Sequence, residues 1–148
     1  IGLLFVGYRL VLAIPLLGVA VTLVSYLLKK FFAMPRPPAY FTQLGRFEEL
    51  SLISGVKVYM GSNSFPSGHT MSAFALFTFL LLALRAKSGP GMQLLLALLA
   101  IVVGLSRIYL IHHFLEDVFL GAIVGMLLGG VWYYRVALRL PVSGKWKR

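Results

Sequence analysis

The sequence predicts an all-α protein, a polytopic bundle of membrane-spanning helices, and three observations carry that expectation. Of 148 residues, 59% are hydrophobic and 12% are charged, and the mean hydropathy is +0.90; soluble domains carry about a quarter charged residues. The apolar residues gather into runs near the length of about 20 that a helix needs to cross a bilayer. The basic residues, which set a formal net charge of +10, flank those runs. That is the pattern of topology-setting charge, so no nucleic-acid partner is inferred. The absence of cysteine excludes disulfides and thiolate metal sites.

Four spans are expected within one membrane-embedded domain, 1–148. The first covers 10–28, LVLAIPLLGVAVTLVSYLL, with Pro15 placed to kink it. The chain opens IGLLFVGYRL, already apolar, without Met and without a signal-peptide cleavage pattern. It therefore reads as the core of a longer protein whose earlier spans precede Ile1. A long loop, 29–66, follows, and FEELSLISGV within it is expected to form a short interfacial helix. The second span, 70–84, opens directly after the run Pro66-Ser67-Gly68-His69. The turn AKSGPG leads to the third, 92–110, and the fourth is 113–134. Gly121, Gly125 and Gly129 stand four apart in this last span, a spacing that lets a neighbouring helix approach closely.

Successive spans cross in opposite directions, so the end of the first, the start of the second, the end of the third and the start of the fourth share one membrane face. Lys29, Lys30, Arg36, His69, Ser106, Arg107, His112, His113, Glu116 and Asp117 all fall there. The opposite face collects Arg85, Lys87, Arg135, Arg139, Lys145, Lys147 and Arg148 without an acid. The positive-inside rule makes this second face, and the C-terminus, cytoplasmic. The polar cluster is then expected to face the periplasm or cell exterior, in a bacterial inner (plasma) membrane.

Polar groups at membrane depth are costly and usually functional. Ser67 is a favoured N-cap for the second span. The free N–H groups behind it form an anion site, Gly68 permits close approach to the backbone, and His69 stands beside that anion with a proton to donate. His113 and Asp117 are four apart, on one face if helical. The carboxylate can bond one imidazole nitrogen and leave the other free as base or nucleophile, although the pair alone could equally be structural. His112 points about 100° away, and Glu116 is a weaker partner than Asp117. Lys29, Arg36 and Arg107 add positive charge. Arg107, in the apolar run VVGLSRIYLI, calls for an anionic partner, which a phosphate supplies with bidentate geometry. Phosphoryl transfer needs such charge neutralisation, a nucleophile and a leaving-group acid. With four acids in the chain, two of them adjacent in the loop, no carboxylate cluster for a divalent metal is expected.

These residues also resemble the signatures of the type-2 phosphatidic acid phosphatase superfamily, which includes the vanadium-dependent haloperoxidases. KKFFAMPRP matches Lys-x6-Arg-Pro through Lys29, Arg36 and Pro37; PSGH is Pro66 to His69; SRIYLIHHFLED matches Ser-Arg-x5-His-x3-Asp through Ser106, Arg107, His113 and Asp117. The resemblance implies that His113 attacks phosphorus to form a phosphohistidine, that Asp117 orients it and that His69 protonates the leaving oxygen. Lys29, Arg36, Ser67, Gly68 and Arg107 would hold the phosphoryl oxygens, with no metal or other cofactor. The implied substrate is a membrane lipid phosphate or diphosphate: polyprenyl (undecaprenyl) diphosphate, phosphatidylglycerol phosphate, phosphatidate or a lipid A phosphate. Members commonly have six spans, against the four expected here.

Alternatives are a vanadate-dependent haloperoxidase, which four apolar spans disfavour because those enzymes are soluble, and a non-catalytic lipid-binding membrane protein. A serine protease using Ser67 and His69 is disfavoured because residues two apart on a helix do not face each other. Tyr40, Phe41, Phe47 and Phe65 of the loop would form an interfacial belt or line a substrate entrance.

Overall fold

The computed structural model describes residues 7–86 and 88–139. Five α-helices occupy them: α1 Gly7–Phe32, α2 Pro37–Gln43, α3 Gly68–Leu84, α4 Pro90–Tyr109 and α5 Leu115–Arg139. The expected helical membrane bundle is present. α1, α4 and α5 are each long and apolar enough to cross a bilayer. α3 has 17 residues, the lower limit of the usual spanning range of about 17–25.

Local chemistry sets the boundaries. α1 stays helical through Pro15 and beyond the expected 10–28, ending where Ala33 takes a positive φ of 46°. Lys29 and Lys30 occupy its last turn, where cations oppose the helix dipole. Ser67 caps α3 with extended backbone. Gly89 and Pro90 begin α4, Pro at the first helical position lacking only an N–H that would have no partner there. α4 stops at Tyr109, and Ile111 turns the chain back with φ 56°.

The loop 29–66 departs from expectation. FEELSLISGV does not form a helix; only Phe47–Glu49 makes a single 3-10 turn. Leu50 leaves it in extended conformation, and Gly55 takes φ +79°. Arg46 closes the turn through a bidentate pair with Glu49, 2.6 Å for both contacts.

Packing centres on α3. Ala13, Leu17 and Val21 of α1 meet Met71, Ala75 and Phe79 of α3 in the buried core, each set repeating every four residues on one helical face. α5 closes on α3 from another side, through the three glycines. A Cβ on Gly121 would sit 2.8 Å from the Ser67 carbonyl oxygen, and Cβ atoms on Gly125 and Gly129 would collide with the Met71 and Ala75 carbonyls. The glycines thus climb α5 one turn at a time beside residues that climb α3 at the same interval. Leu12, Leu16, Val19 and Leu23 of α1 and Leu94, Leu98, Val102 and Leu105 of α4 are exposed, an apolar surface of the kind that marks a membrane contact.

The helices alternate in direction as expected. Trp132 Nε1 donates to the Ala13 carbonyl at 3.0 Å near one end. At the other, the Ser67 N–H donates to the Asp117 carbonyl at 2.9 Å. Arg85 and Arg135 are exposed at the Trp132 end, whereas Lys87, Lys145, Lys147 and Arg148 of the predicted basic face lie outside the described residues.

Candidate active site

The polar end of the bundle is built around one carboxylate. Asp117 occupies the third position of α5 and is 1% exposed. Its Oδ2 accepts the Phe114 N–H at 2.9 Å, half of a capping box that closes its own helix. The same oxygen receives the Ser64 hydroxyl at 2.5 Å and lies 3.2 Å from His113 Nδ1. Sequence reasoning placed His113 and Asp117 on one helical face. The pair does meet, but His113 belongs to the turn before α5. The backbone carbonyl of Arg107 accepts the N–H groups of both His112 and His113, at 3.0 and 3.3 Å; this wraps the end of α4 and drops the His113 ring onto Asp117. Because a carboxylate accepts from Nδ1, the proton sits there and Nε2 is left free. Burial pushes the His113 imidazole below its ordinary range; the Asp117 hydrogen bond opposes the shift, and the charges of Arg36 and Lys29 reinforce it.

Lys29 Nζ, on the last turn of α1, donates to the carbonyl oxygens of Asn63 at 2.5 Å and Ser64 at 3.2 Å. Arg36 donates from Nε to Asn63 Oδ1 at 2.8 Å and from NH1 to the His112 carbonyl at 3.4 Å. Its guanidinium also lies 4.9 Å from the Tyr59 ring centroid. Arg107, half-buried, donates to the Ser106 hydroxyl at 3.1 Å. None of these three cations has a carboxylate within 4.0 Å among the described residues. All three lie close enough to His69 to act on its charge, and Lys29 and Arg36 likewise reach His113. Lys29 and Arg36 thus act on both imidazoles at this end of the bundle.

The start of α3 lies at the same end of the bundle, and its first residues make contacts within the protein. The Ser67 N–H is already engaged by the Asp117 carbonyl, and its hydroxyl accepts from Thr70 Oγ1 at 2.8 Å; the N–H groups of Gly68 and His69 come next along the helix. At Gly68 the missing side chain admits α1, since a Cβ would lie 2.9 Å from Ser25 Oγ. His69, second residue of α3, is exposed at this end of the bundle, in contrast to His113 at 3% exposure.

His112, set aside by helical geometry, anchors the loop. Its Nε2 pairs with the Lys57 carbonyl at 3.2 Å and its ring packs edge-on against Tyr59 at 4.9 Å. Glu116 is exposed and, with Met34, Pro35, Tyr40, Phe114 and Asp117, borders an open cleft of about 320 Å³. Of the loop aromatics, Tyr40 lines this cleft and packs edge-on against Phe114 at 5.6 Å, while Phe65 packs on Phe32 at 4.9 Å. Among the described residues no three His, Asp or Glu side chains are grouped to hold a metal ion.

Sequence reasoning gave no role to Ser64 or Asn63. Ser64 is fully buried on Asp117, and Asn63 bridges two cations. The only signal was position, both residues standing immediately before the Phe-Pro-Ser-Gly-His run.

Fold and geometry together define a helical membrane protein with cations and histidines gathered at one end of its bundle. The chain belongs to the PAP2 superfamily, whose family model matches residues 8–140. It is 38% identical over 88 residues to a lipid A 1-phosphatase of Porphyromonas gingivalis, covering 58% of this chain and 20% of that protein. It is 37% identical over 117 residues to lipid phosphate phosphatase 1 of Arabidopsis thaliana, covering 67% of this chain and 36% of that one. The chain thus spans well under half the length of these curated relatives. The crystal structure of Aquifex aeolicus LpxE superimposes with a TM-score of 0.64 at 31% identity, covering 81% of this chain and 64% of that one.

Proposed function

We propose that the protein hydrolyses a membrane lipid phosphate or diphosphate without metal, through a phosphohistidine at His113. His113 Nε2 attacks phosphorus, the bond from phosphorus to the leaving oxygen breaks, and His69 gives that oxygen its proton. Water, giving a proton to His69, then attacks phosphorus; the phosphorus–Nε2 bond breaks, its electron pair returns to Nε2, and inorganic phosphate leaves. Asp117 holds the Nδ1 proton throughout, stabilising the positive charge that develops on the ring. Lys29, Arg36, Arg107 and the N–H groups at the start of α3 neutralise the phosphoryl oxygens.

One observation carries this reading: Lys29 and Arg36, without carboxylate partners among the described residues, act on two imidazoles, one buried and oriented, the other exposed and also near Arg107. The names of the two lipid phosphatase relatives support a lipid substrate, and the exposed apolar helices support its delivery from the bilayer. The substrate is one of the four lipid classes named above, and the site faces the outer side of a bacterial plasma membrane.

The test is phosphate release by purified protein from a panel of those lipids with excess EDTA. Turnover of at least one lipid, insensitive to chelation, is expected. A requirement for magnesium would refute the mechanism. A reporter fused after Arg148 should read as cytoplasmic.

A further inference from the structure

We propose that the adjacent residues Asn63 and Ser64 are positioning residues that set the two halves of the pocket separately: Asn63 aims the anion-holding cations, and Ser64 fixes the acid behind the nucleophile. The assignment of the halves rests on the function proposed above; the contacts do not.

The case begins with how the dipeptide is held. Ser64 N–H donates to the Met34 carbonyl at 3.0 Å, and Gly61 accepts the Arg36 N–H at 3.0 Å. Two backbone bonds thus pin this stretch to the segment that carries Arg36. From that base, Asn63 presents its carbonyl oxygen to Lys29 and its side-chain oxygen to Arg36. Long cationic side chains lose rotamer entropy on being fixed. A neutral acceptor fixes them without cancelling their charge, which a carboxylate at the same place would do. Asn63 is exposed, so its place here follows from these contacts and not from packing.

The Ser64 carbonyl also accepts from Lys29, at 3.2 Å, but its side chain points the other way. Its hydroxyl is fully buried, donates to Asp117 Oδ2 and lies 3.4 Å from His113 Nδ1. Asp117 Oδ2 thereby receives three donors, from Ser64, Phe114 and His113. Removing one makes the carboxylate a stronger base toward the imidazole and favours the protonated ring. The charged groups facing that ring are Asp117 of α5, Lys29 of α1 and Arg36 of the following loop, and Ser64→Ala leaves all three in place.

Two readouts that need no turnover separate the halves: NMR titration of His113 in detergent micelles, assigned with His69→Ala and His112→Ala, and calorimetric binding of inorganic phosphate. Ser64→Ala should move the His113 titration to higher pH, Ser64→Cys, a weaker donor, should move it less, and both should bind phosphate nearly as wild type does. Asn63→Ala keeps the main-chain carbonyl on Lys29 and removes only the Oδ1 acceptor of Arg36; it should weaken phosphate binding by about tenfold or more, the scale of a hydrogen bond to a charged group, and disturb the His113 titration less than Ser64→Ala does. The proposal is overturned if Ser64→Ala leaves the titration unmoved or lowers it, if Asn63→Ala binds phosphate normally, or if both variants shift both readouts alike. Thermal unfolding of each variant identifies any that is misfolded, and Ser64→Cys then decides the Ser64 half. Wild-type protein that shows these effects yet releases no phosphate from any lipid would sink the proposed function and leave this inference standing.

Discussion

The starts of α3 and α5 lie side by side, joined by the bond from Ser67 N–H to the Asp117 carbonyl, yet they present their histidines in opposite ways. His113 is buried, with Nδ1 on Asp117 and the arginine-held turn behind it. His69, one residue inside α3, is exposed and faces cations. A ring fixed at one nitrogen offers the other in a single direction, which suits attack on phosphorus. A ring open to the pocket can exchange protons with a leaving oxygen and then with water. The difference separates the two proposed roles by environment, although the residue type is the same.

The comparison breaks most sharply at the nucleophile. His113→Ala should lower phosphate release by more than about a thousandfold, the scale seen when a nucleophile is deleted, with folding retained by circular dichroism. His69→Ala should cost about 10² to 10⁴ on a lipid phosphate. On an aryl phosphate with an acidic phenol the loss should be far smaller, because that leaving group needs no proton. Equal losses on both substrates would remove His69 from the acid role. His113→Ala should stay inactive on either.

How much of this contrast was legible in the sequence depends on the range of the interaction. The glycine register was readable because Gly121, Gly125 and Gly129 repeat at the helical interval, and the pairing of His113 with Asp117 because four residues bring them together even across a helix start. The end of α4 was readable to within one residue, 110 expected against Tyr109, but the turn that follows was not: it depends on Ile111 adopting positive φ, which a β-branched residue does only under tertiary constraint. FEELSLISGV reads as a helix in part because Glu and Leu favour one, but the loop is held by Tyr59, Lys57 and Gly61 docking on His112 and Arg36. Ser64 and Asn63 were opaque for the same reason. Their partners stand between 27 and 53 positions away, and nothing local marks them.

The acid side of the pH profile sharpens the contrast. His113 attacks as the neutral ring. Burial holds its pKa below the ordinary 6.5, against the opposing Asp117 bond, so the neutral form persists to lower pH than in an unperturbed histidine. The acid limb of kcat/KM should therefore fall below pH 6.5. A limb at or above that value would mean that the carboxylate outweighs burial.

Smaller effects test the scaffold that keeps the two starts adjacent. Gly121→Ala would put a Cβ 2.8 Å from the Ser67 carbonyl and 3.3 Å from Thr70 Cβ. Both neighbours belong to the first turn of α3 or its cap, so relief must shift His69 relative to His113. Overpacking of this kind costs about 1–3 kcal/mol, and a drop in activity should accompany a lower thermal midpoint in detergent. Gly18, in the exposed stretch of α1, has nothing within 4 Å of where its Cβ would stand. Ala there removes backbone freedom from the unfolded chain and adds a helix former, stabilising by about 0.4–1 kcal/mol. Gly18→Ala should therefore raise the midpoint slightly at unchanged turnover, because Ser25 beside Gly68 and Lys29 on Asn63 lie about two and three turns further along α1. A loss of activity in Gly18→Ala would show that the outer face of α1 shapes the pocket, and the division between an adjustable lipid face and a fixed α3–α5 seam would have to be abandoned.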